Sequence, residues 1–230
     1  MKKLAIITAR GGSKRIPRKN IKLFLGKPII QYTIEAALSS QLFDEVMVST
    51  DDKEIADYAL KFGAKVPFLR SPRNSDDHST TADVLLEVLS HYGDLGVIFS
   101  YACCLYPTAP FITGDKLTSA YSLLTKRNAD SVIPVARFSF PIWRSFNMDN
   151  NIINYNWPEN ANTRSQDLPL AFHDCGQFYF FNVNSFLKHK SLVMPKTFGF
   201  EIPELEVQDI DNDHDWAIAE IKYSFNANVR

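Results

Sequence analysis

Short apolar runs alternate with apolar stripes at helical spacing across residues 4–140, a pattern that predicts an α/β protein with a mostly parallel sheet. Leu4 to Thr8 predicts the first strand, which ends at Ala9-Arg10-Gly11-Gly12. Ile30, Ile34, Ala37 and Leu38 then share one helical face, with Pro28 near the first turn, where its missing N–H costs nothing. Val46 to Thr50 predicts a second strand, closed by Asp51-Asp52, and Ile55, Ala59 and Phe62 a helix stopped by Gly63. Val84, Leu85, Val88 and Leu89 mark a further helix; Ser79, Thr80 and Thr81 are its cap candidates, and Asp83 follows Thr80 at capping-box spacing. Val97 to Leu105 predicts a long buried strand running into Tyr106-Pro107-Thr108-Ala109-Pro110. Leu117, Ala120, Tyr121 and Leu124 predict another helix, and Ser131 to Ala136 another strand.

After Arg137 the alternation breaks. Phe138, Phe140, Pro141, Trp143 and Phe146 crowd together ahead of an Asn-rich stretch over residues 147–162. Residues 137–175 therefore predict an aromatic-rich excursion from the sheet, and such a surface commonly packs on a second subunit, so a homodimer is expected. Gln177 to Val183 returns as an aromatic strand, and a last helix is expected to turn Ala217, Ile218, Ile221 and Phe225 inward. With no internal repeat or flexible linker, the 230 residues and their 45% hydrophobic content fit one domain over 1–230.

Charge changes the picture only locally. The formal net charge of -1 provides no overall field for nucleic acid or an anionic membrane, and neither is expected as a partner. Yet residues 1–34 hold nine basic side chains and no acidic one, while residues 201–215 hold seven carboxylates and no Lys or Arg. If both segments meet at one cleft, they offer cations for a polyphosphate and carboxylates for a divalent cation; otherwise they are two solvated patches. Cys103, Cys104 and Cys175 have neither zinc nor disulfide-framework spacing and are expected to be reduced and buried. No apolar run reaches the roughly 18 residues of a membrane span, and the N-terminus enters a short strand in place of a signal peptide, so a cytoplasmic protein is expected.

Glycines at the end of a first α/β strand let backbone N–H groups approach phosphate closely. Gly11-Gly12-Ser13 supplies them, but neither G-x-G-x-x-G nor G-x-x-x-x-G-K-[ST] is present, which disfavours NAD binding and P-loop chemistry. Arg10, Lys14, Arg15, Arg18 and Lys19 outnumber what one phosphate requires and suit a triphosphate. Asp209-Ile210-Asp211 would point both carboxylates one way on an extended segment, a geometry open to Mg²⁺. Helix N-capping by Asp211 or Asp213 is the alternative.

The run from Ala9 through Arg10-Gly11-Gly12-Ser13-Lys14-Arg15-Ile16-Pro17-Arg18-Lys19 to Asn20 resembles the signature loop of the CMP-sialic acid synthetase family. The likeness continues at Ser49-Thr50-Asp51-Asp52, Arg70, the polar stretch ending at Thr81, Pro107-Thr108-Ala109-Pro110 and Asp209-Ile210-Asp211. It implies a Rossmann-like, three-layer α/β/α sheet of the sugar nucleotidyltransferase type, with Arg10 and Lys19 as triphosphate cations in the Gly12-Ser13 loop. The backbone near Ala9 with Asn20, Arg70 and Thr81 would contact cytidine, and Asp209 and Asp211 would hold Mg²⁺. The implied reaction joins CMP from CTP to an acidic nine-carbon sugar. Tyr106, Arg164-Ser165-Gln166-Asp167-Leu168-Pro169 and His173-Asp174-Cys175-Gly176-Gln177-Phe178-Tyr179 lean toward the branch that activates pseudaminic acid, and place Tyr106, Arg164, His173, Asp174 and Gln177 at the sugar. Arg164 suits the sugar carboxylate because a guanidinium binds it bidentately, with Arg137 and Arg144 as competitors. Sialic acid, legionaminic acid and Kdo are the alternative acceptors; a non-catalytic nucleotide-binding regulator is the alternative of another class.

Overall fold

The structure, a computed structural model, describes residues 1–229. The chain forms β1 (Lys3–Thr8), a small ribbon of β2 (Leu23–Phe24) and β3 (Lys27–Pro28), α1 (Ile29–Ser39), β4 (Glu45–Ser49), α2 (Lys53–Lys61), α3 (Thr81–Asp94), β5 (Tyr101–Leu105), α4 (Gly114–Lys126) and β6 (Ser131–Arg137). It continues through β7 (Phe146–Asp149), β8 (Ile152–Tyr155), β9 (Phe172–Asp174), β10 (Phe178–Asn182), α5 (Val183–His189), β11 (Thr197–Glu201) and α6 (Asp213–Val229). Among the described residues seven strands make one sheet in the order β11-β6-β10-β5-β1-β4, with β9 also on β6. β4, β1, β5, β6 and β11 run one way, and β10 and β9 run against them.

The two-residue period of the strands sorts their side chains into two cores. Ala5 and Ile7 of β1, Cys103 and Leu105 of β5 and Phe178 and Phe180 of β10 pack with the apolar faces of α1, α2 and α4. Leu4 and Ile6, Cys104, and Tyr179 and Phe181 pack on the opposite face with α3 and α5. Burial on both faces is why these strands read as continuous apolar runs, and the result is the expected three-layer α/β/α arrangement. The end signals hold. Asp52 caps α2 by accepting from Ile55 N (3.0 Å), Gly63 follows α2 at φ +90°, and Thr80 with Asp83 forms the capping box of α3. The three cysteines are free and buried, and burial pushes the Cys104 and Cys175 thiols up to about 12.

Four expectations are corrected. The strand expected from Val97 begins only at Tyr101, where β1 pairs with it from Lys3 onward; Val97 N turns back to Tyr92 O (2.8 Å), and Ser100 makes only end bonds, donating to Lys2 O (2.9 Å) and accepting from Val183 N (3.1 Å). The excursion carries the β7–β8 hairpin off the sheet, but rejoins it before residue 175, as Phe172 to Asp174 pair with Arg137 to Val135. Leu38 lies exposed beside the buried face of α1. The last helix is rotated from its expected face: Trp216 and Ala219 are buried, whereas Ala217, Ile221 and Phe225 are exposed. The larger aromatic decides this. Trp216 packs edge-on to Phe24 (5.7 Å), donates Nε1–H to Glu220 (3.2 Å) and lies under the Lys22 ammonium (4.6 Å).

Replacing Trp216 by Ala is expected to cost about 3 kcal/mol in urea unfolding. Ile221→Ala should cost less than about 0.5 kcal/mol; equal losses would return Ile221 to the core.

Candidate active site

The sheet ends its strands β1, β4 and β5 along one edge, where open α/β sheets bind ligands. There a cleft of about 640 Å³ is lined by Thr8, Arg10, Ser13, Lys19, Asn20 and Tyr106, together with Lys14, Arg15, Asp77, Pro107 and Thr108. A second cleft of about 190 Å³ shares Thr8, Arg10 and Asp77 with it and adds Arg70 and Thr81.

The loop between β1 and the β2–β3 ribbon is clamped to the end of β4. Ala9 N donates to Ser49 O (2.9 Å) and Gly11 N to Asp51 Oδ1 (2.9 Å), so the Ala9 amide is already committed to the fold. Gly11 is required by close approach: a Cβ there would stand 2.9 Å from that of Asp52, whereas Gly12 faces open space. Buried Asn20 donates Nδ2–H to Arg10 O (2.8 Å) and braces the loop from within. Arg18, in the left-handed region at φ 55°, grips Asp52 through two bonds (2.5 and 3.1 Å) and also meets Glu54. It braces the loop against the start of α2. The Arg18 guanidinium, aided by Ile55 N and opposed by burial, holds the Asp52 carboxyl below its usual range.

The other cations of the loop face the cleft and meet carboxylates from distant segments. Arg10 bonds Asp76 O and Asp77 Oδ1 (both 2.8 Å), and Lys14 also reaches Asp77. Arg15 pairs with Asp211 (2.7 Å); Lys19 donates to Ile210 O (2.7 Å) and lies 4.0 Å from Asp211. The basic and acidic ends of the chain therefore do meet. Burial lowers the Lys19 ammonium from its usual value, and Asp211 and Asp209 oppose that. Ile210 is buried between an exposed Asp209 and a half-buried Asp211. The start of α6 is capped by Asn212 Oδ1, which accepts from Asp215 N (3.0 Å), while Asp215 accepts from Asp211 N and Asn212 N. Neither Asp211 nor Asp213 is the cap; Asp211 is paired with Arg15, and neither Asp209 nor Asp211 lines either cleft. No group of three or more metal-binding side chains gathers among the described residues. Two carboxylates on one short segment near Lys19 nevertheless fit Mg²⁺, which commonly takes one or two carboxylates and completes its shell with other oxygens and water.

At the smaller cleft, Arg70 is buried and tied to Ser49 through Nε–H to Oγ (3.0 Å) and Nη2–H to O (2.5 Å). Burial lowers its pKa, against Asp51 and Glu87. Thr81 Oγ1 lies 3.1 Å from the Tyr106 hydroxyl. The residues expected at the sugar are less united. Asp174 accepts from Tyr179 and Gly176, and His173 Nδ1 lies 2.9 Å from Asp174 O. Gln177 is buried and donates Nε2–H to Glu206 O (2.6 Å). Arg164 is exposed on the excursion and, like His173, Asp174 and Gln177, lines neither cleft. The sequence reading missed Thr8 and Asp77 as lining residues. The position of Thr8 at the C-terminal end of β1 is the signal that could have found it.

The sequence model of the family described as cytidylyltransferase matches residues 4–205. The chain belongs to the cytidylyltransferase family. It is 43% identical over 227 residues to a pseudaminic acid cytidylyltransferase of Campylobacter jejuni serotype O:2, covering 98% of each chain. It is 34% identical to a CMP-N,N'-diacetyllegionaminic acid synthase of Legionella pneumophila, covering 96% of this chain and 95% of that one. A CMP:2-keto-3-deoxy-manno-octonic acid synthetase solved with CTP superposes with a TM-score of 0.69 at 19% identity, covering 99% of this chain and all of the other, which extends the likeness to the fold. Among the described residues no helix is long and apolar enough to cross a membrane.

Arg18→Ala should cost about 1 kcal/mol near neutral pH. Since Asp52 titrates lower in the folded chain than its unfolded value of about 4, the pair contributes fully above that pH and its contribution vanishes as pH falls through the folded value. Urea stabilities of parent and variant should converge toward pH 2; a gap that stays constant would remove Asp52 titration from the account.

Proposed function

We propose that this protein transfers CMP from CTP to the anomeric hydroxyl of a nonulosonic acid, pseudaminic acid, and releases pyrophosphate. The observation that carries the reading is the convergence of Arg10 and Lys19 on one cleft, with Asp211 at its edge, in a cytidylyltransferase. The full-length likeness to a pseudaminic acid cytidylyltransferase selects the sugar. A legionaminic or sialic acid acceptor is the second reading, favoured by the more distant relatives: the legionaminic acid synthase and, at 39% identity, N-acylneuraminate cytidylyltransferase A of Danio rerio, of whose length the chain spans 49%.

In this reaction the sugar hydroxyl oxygen bonds to the α-phosphorus, the hydroxyl proton passes to water, and the bond from the α-phosphorus to the oxygen bridging to the β-phosphate breaks, its electron pair leaving with pyrophosphate. Arg10 and Lys19 hold the β- and γ-phosphates and neutralise the leaving pyrophosphate. To bind, the triphosphate takes the place of Asp77 on Arg10 and Lys14. Gly12 and Ser13 approach the phosphates, and Arg70, Thr81, Asn20 and the Ala9 backbone define the cytidine side. Asp209 and Asp211 would hold Mg²⁺, which would supply charge neutralisation to the phosphates. Tyr106, His173, Asp174, Gln177 and Arg164 form the sugar side, with Arg164 brought to the sugar carboxylate by closure or by a second subunit. The exposed Phe140, Met148, Ile152 and Ile153 of the excursion support a homodimer formed there. A cytoplasmic location belongs to the same reading.

Pyrophosphate release from CTP and Mg²⁺ should proceed with pseudaminic acid and fall at least about tenfold in kcat/KM with N-acetylneuraminic acid. Asp211→Asn should lower kcat by about 100-fold or more while the protein stays folded. Turnover with sialic acid alone would replace the sugar, and near-normal activity of the variant would remove the metal assignment. Light scattering should give twice the chain mass of 26.1 kDa, and Ile152→Asp should halve it; a monomeric parent would refute the interface.

A further inference from the structure

Tyr106 and Thr81 form the wall between the two clefts, Tyr106 on the larger and Thr81 on the smaller, with their hydroxyl oxygens 3.1 Å apart. The Tyr106 backbone is fixed, since its N–H donates to Gln177 O (2.9 Å) and its carbonyl accepts from Thr33 Oγ1 (3.1 Å). The direction of the phenol is set from behind. Tyr179, buried on β10, packs its ring against that of Tyr106 with centroids 5.3 Å apart and planes tilted by 56°. Its hydroxyl donates to both carboxylate oxygens of Asp174 (2.9 and 3.0 Å). Asp174 is immobilised in turn by Gly176 N (2.8 Å), and Gly176 sits at φ +61° against the Tyr106 ring, where an added Cβ would come 3.9 Å from Cδ2.

The turn that leads from β9 into β10 thus holds Asp174, Asp174 holds Tyr179, and Tyr106 leans on Tyr179. None of the transfer steps uses Tyr179. A buried hydroxyl costs free energy unless it is bonded, and Phe would fill the same space without that requirement. Burial pushes both phenols up, so each keeps its proton; Tyr179 donates its own to Asp174.

We propose that Tyr179 is a positioning residue: with Asp174 it holds the Tyr106 phenol against Thr81, so that the wall between the larger and the smaller cleft keeps one shape. The activity readout rests on the proposed transfer reaction, but the geometric readout does not. The test is a double-mutant cycle in the full chain with Tyr179→Phe, Tyr106→Phe and both. Tyr179→Phe should lower kcat/KM for pseudaminic acid about tenfold while the KM for CTP stays within about twofold, a split that general loosening of the core would not give. Tyr106→Phe should match it, and the double variant should lose no more than Tyr106→Phe alone. Losses that multiply, or an unchanged kcat/KM for the sugar in Tyr179→Phe, would overturn the proposal. Should the parent turn over no nonulosonic acid, the transfer reading itself fails, and melting temperatures of the same four proteins decide the positioning. A smaller shift for Tyr106→Phe in the Tyr179→Phe background than in the parent supports it, and equal shifts overturn it.

Discussion

The rest of the site depends on holding a run of like charges together at the end of one strand. Arg10, Lys14, Arg15, Arg18 and Lys19 follow β1 within a few residues, and at short range such charges repel unless each is compensated. The fold compensates them from three directions. Asp52 and Glu54 at the start of α2 take Arg18, Asp77 ahead of α3 takes Arg10 and Lys14, and Asp211 ahead of α6 takes Arg15 and approaches Lys19. A loop pinned on three sides presents its remaining donors to one cleft, and a triphosphate is the kind of anion that could exchange with the exposed partners.

The same anchors explain why the site stands at the sheet edge. Asp51 and Asp52 follow β4, which lies beside β1, so the register that pairs Thr8 with Ser49 also brings Gly11 onto Asp52. A side chain at residue 11 would force them apart. Asp52 serves two purposes at once, capping α2 and receiving Arg18, which couples helix formation to the shape of the loop. The larger core aromatics have a parallel role at the far end, where Trp216 and Phe24 fasten α6 to the β2–β3 ribbon and thereby set the Asp209–Asp211 segment beside Lys19.

Family membership is a statement about the whole chain, and the cleft gives it chemical content. Cations from the first strand's loop line the larger cleft, one of them, Arg10, shares the smaller cleft with a buried guanidinium at residue 70, and Arg15 and Lys19 meet the Asp211 carboxylate from the far end of the chain. The excursion contributes differently. Its aromatic surface stands away from the sheet, and its exit through β9 delivers Asp174 to the back of Tyr106 by way of Tyr179.

The sequence by itself determined the layers, the strand and helix alternation and the end signals, because those follow from local spacing: Ala5 and Ile7 against Leu4 and Ile6, Thr80 with Asp83, Gly63 after α2. It also located the loop and the D-x-D pair, whose charge density is visible without coordinates. What only the tertiary structure decided is partnership. Whether Arg18 faces phosphate or Asp52, whether Asp211 or Asn212 caps α6, and which stripe of α6 turns inward depend on segments far apart in sequence competing for the same atoms. Local periodicity could not see that Phe24 waits for Trp216, or that Val97 turns back onto Tyr92 while the ladder with β1 begins only at Tyr101, since hydrogen bonds and burial are settled between elements and not within them.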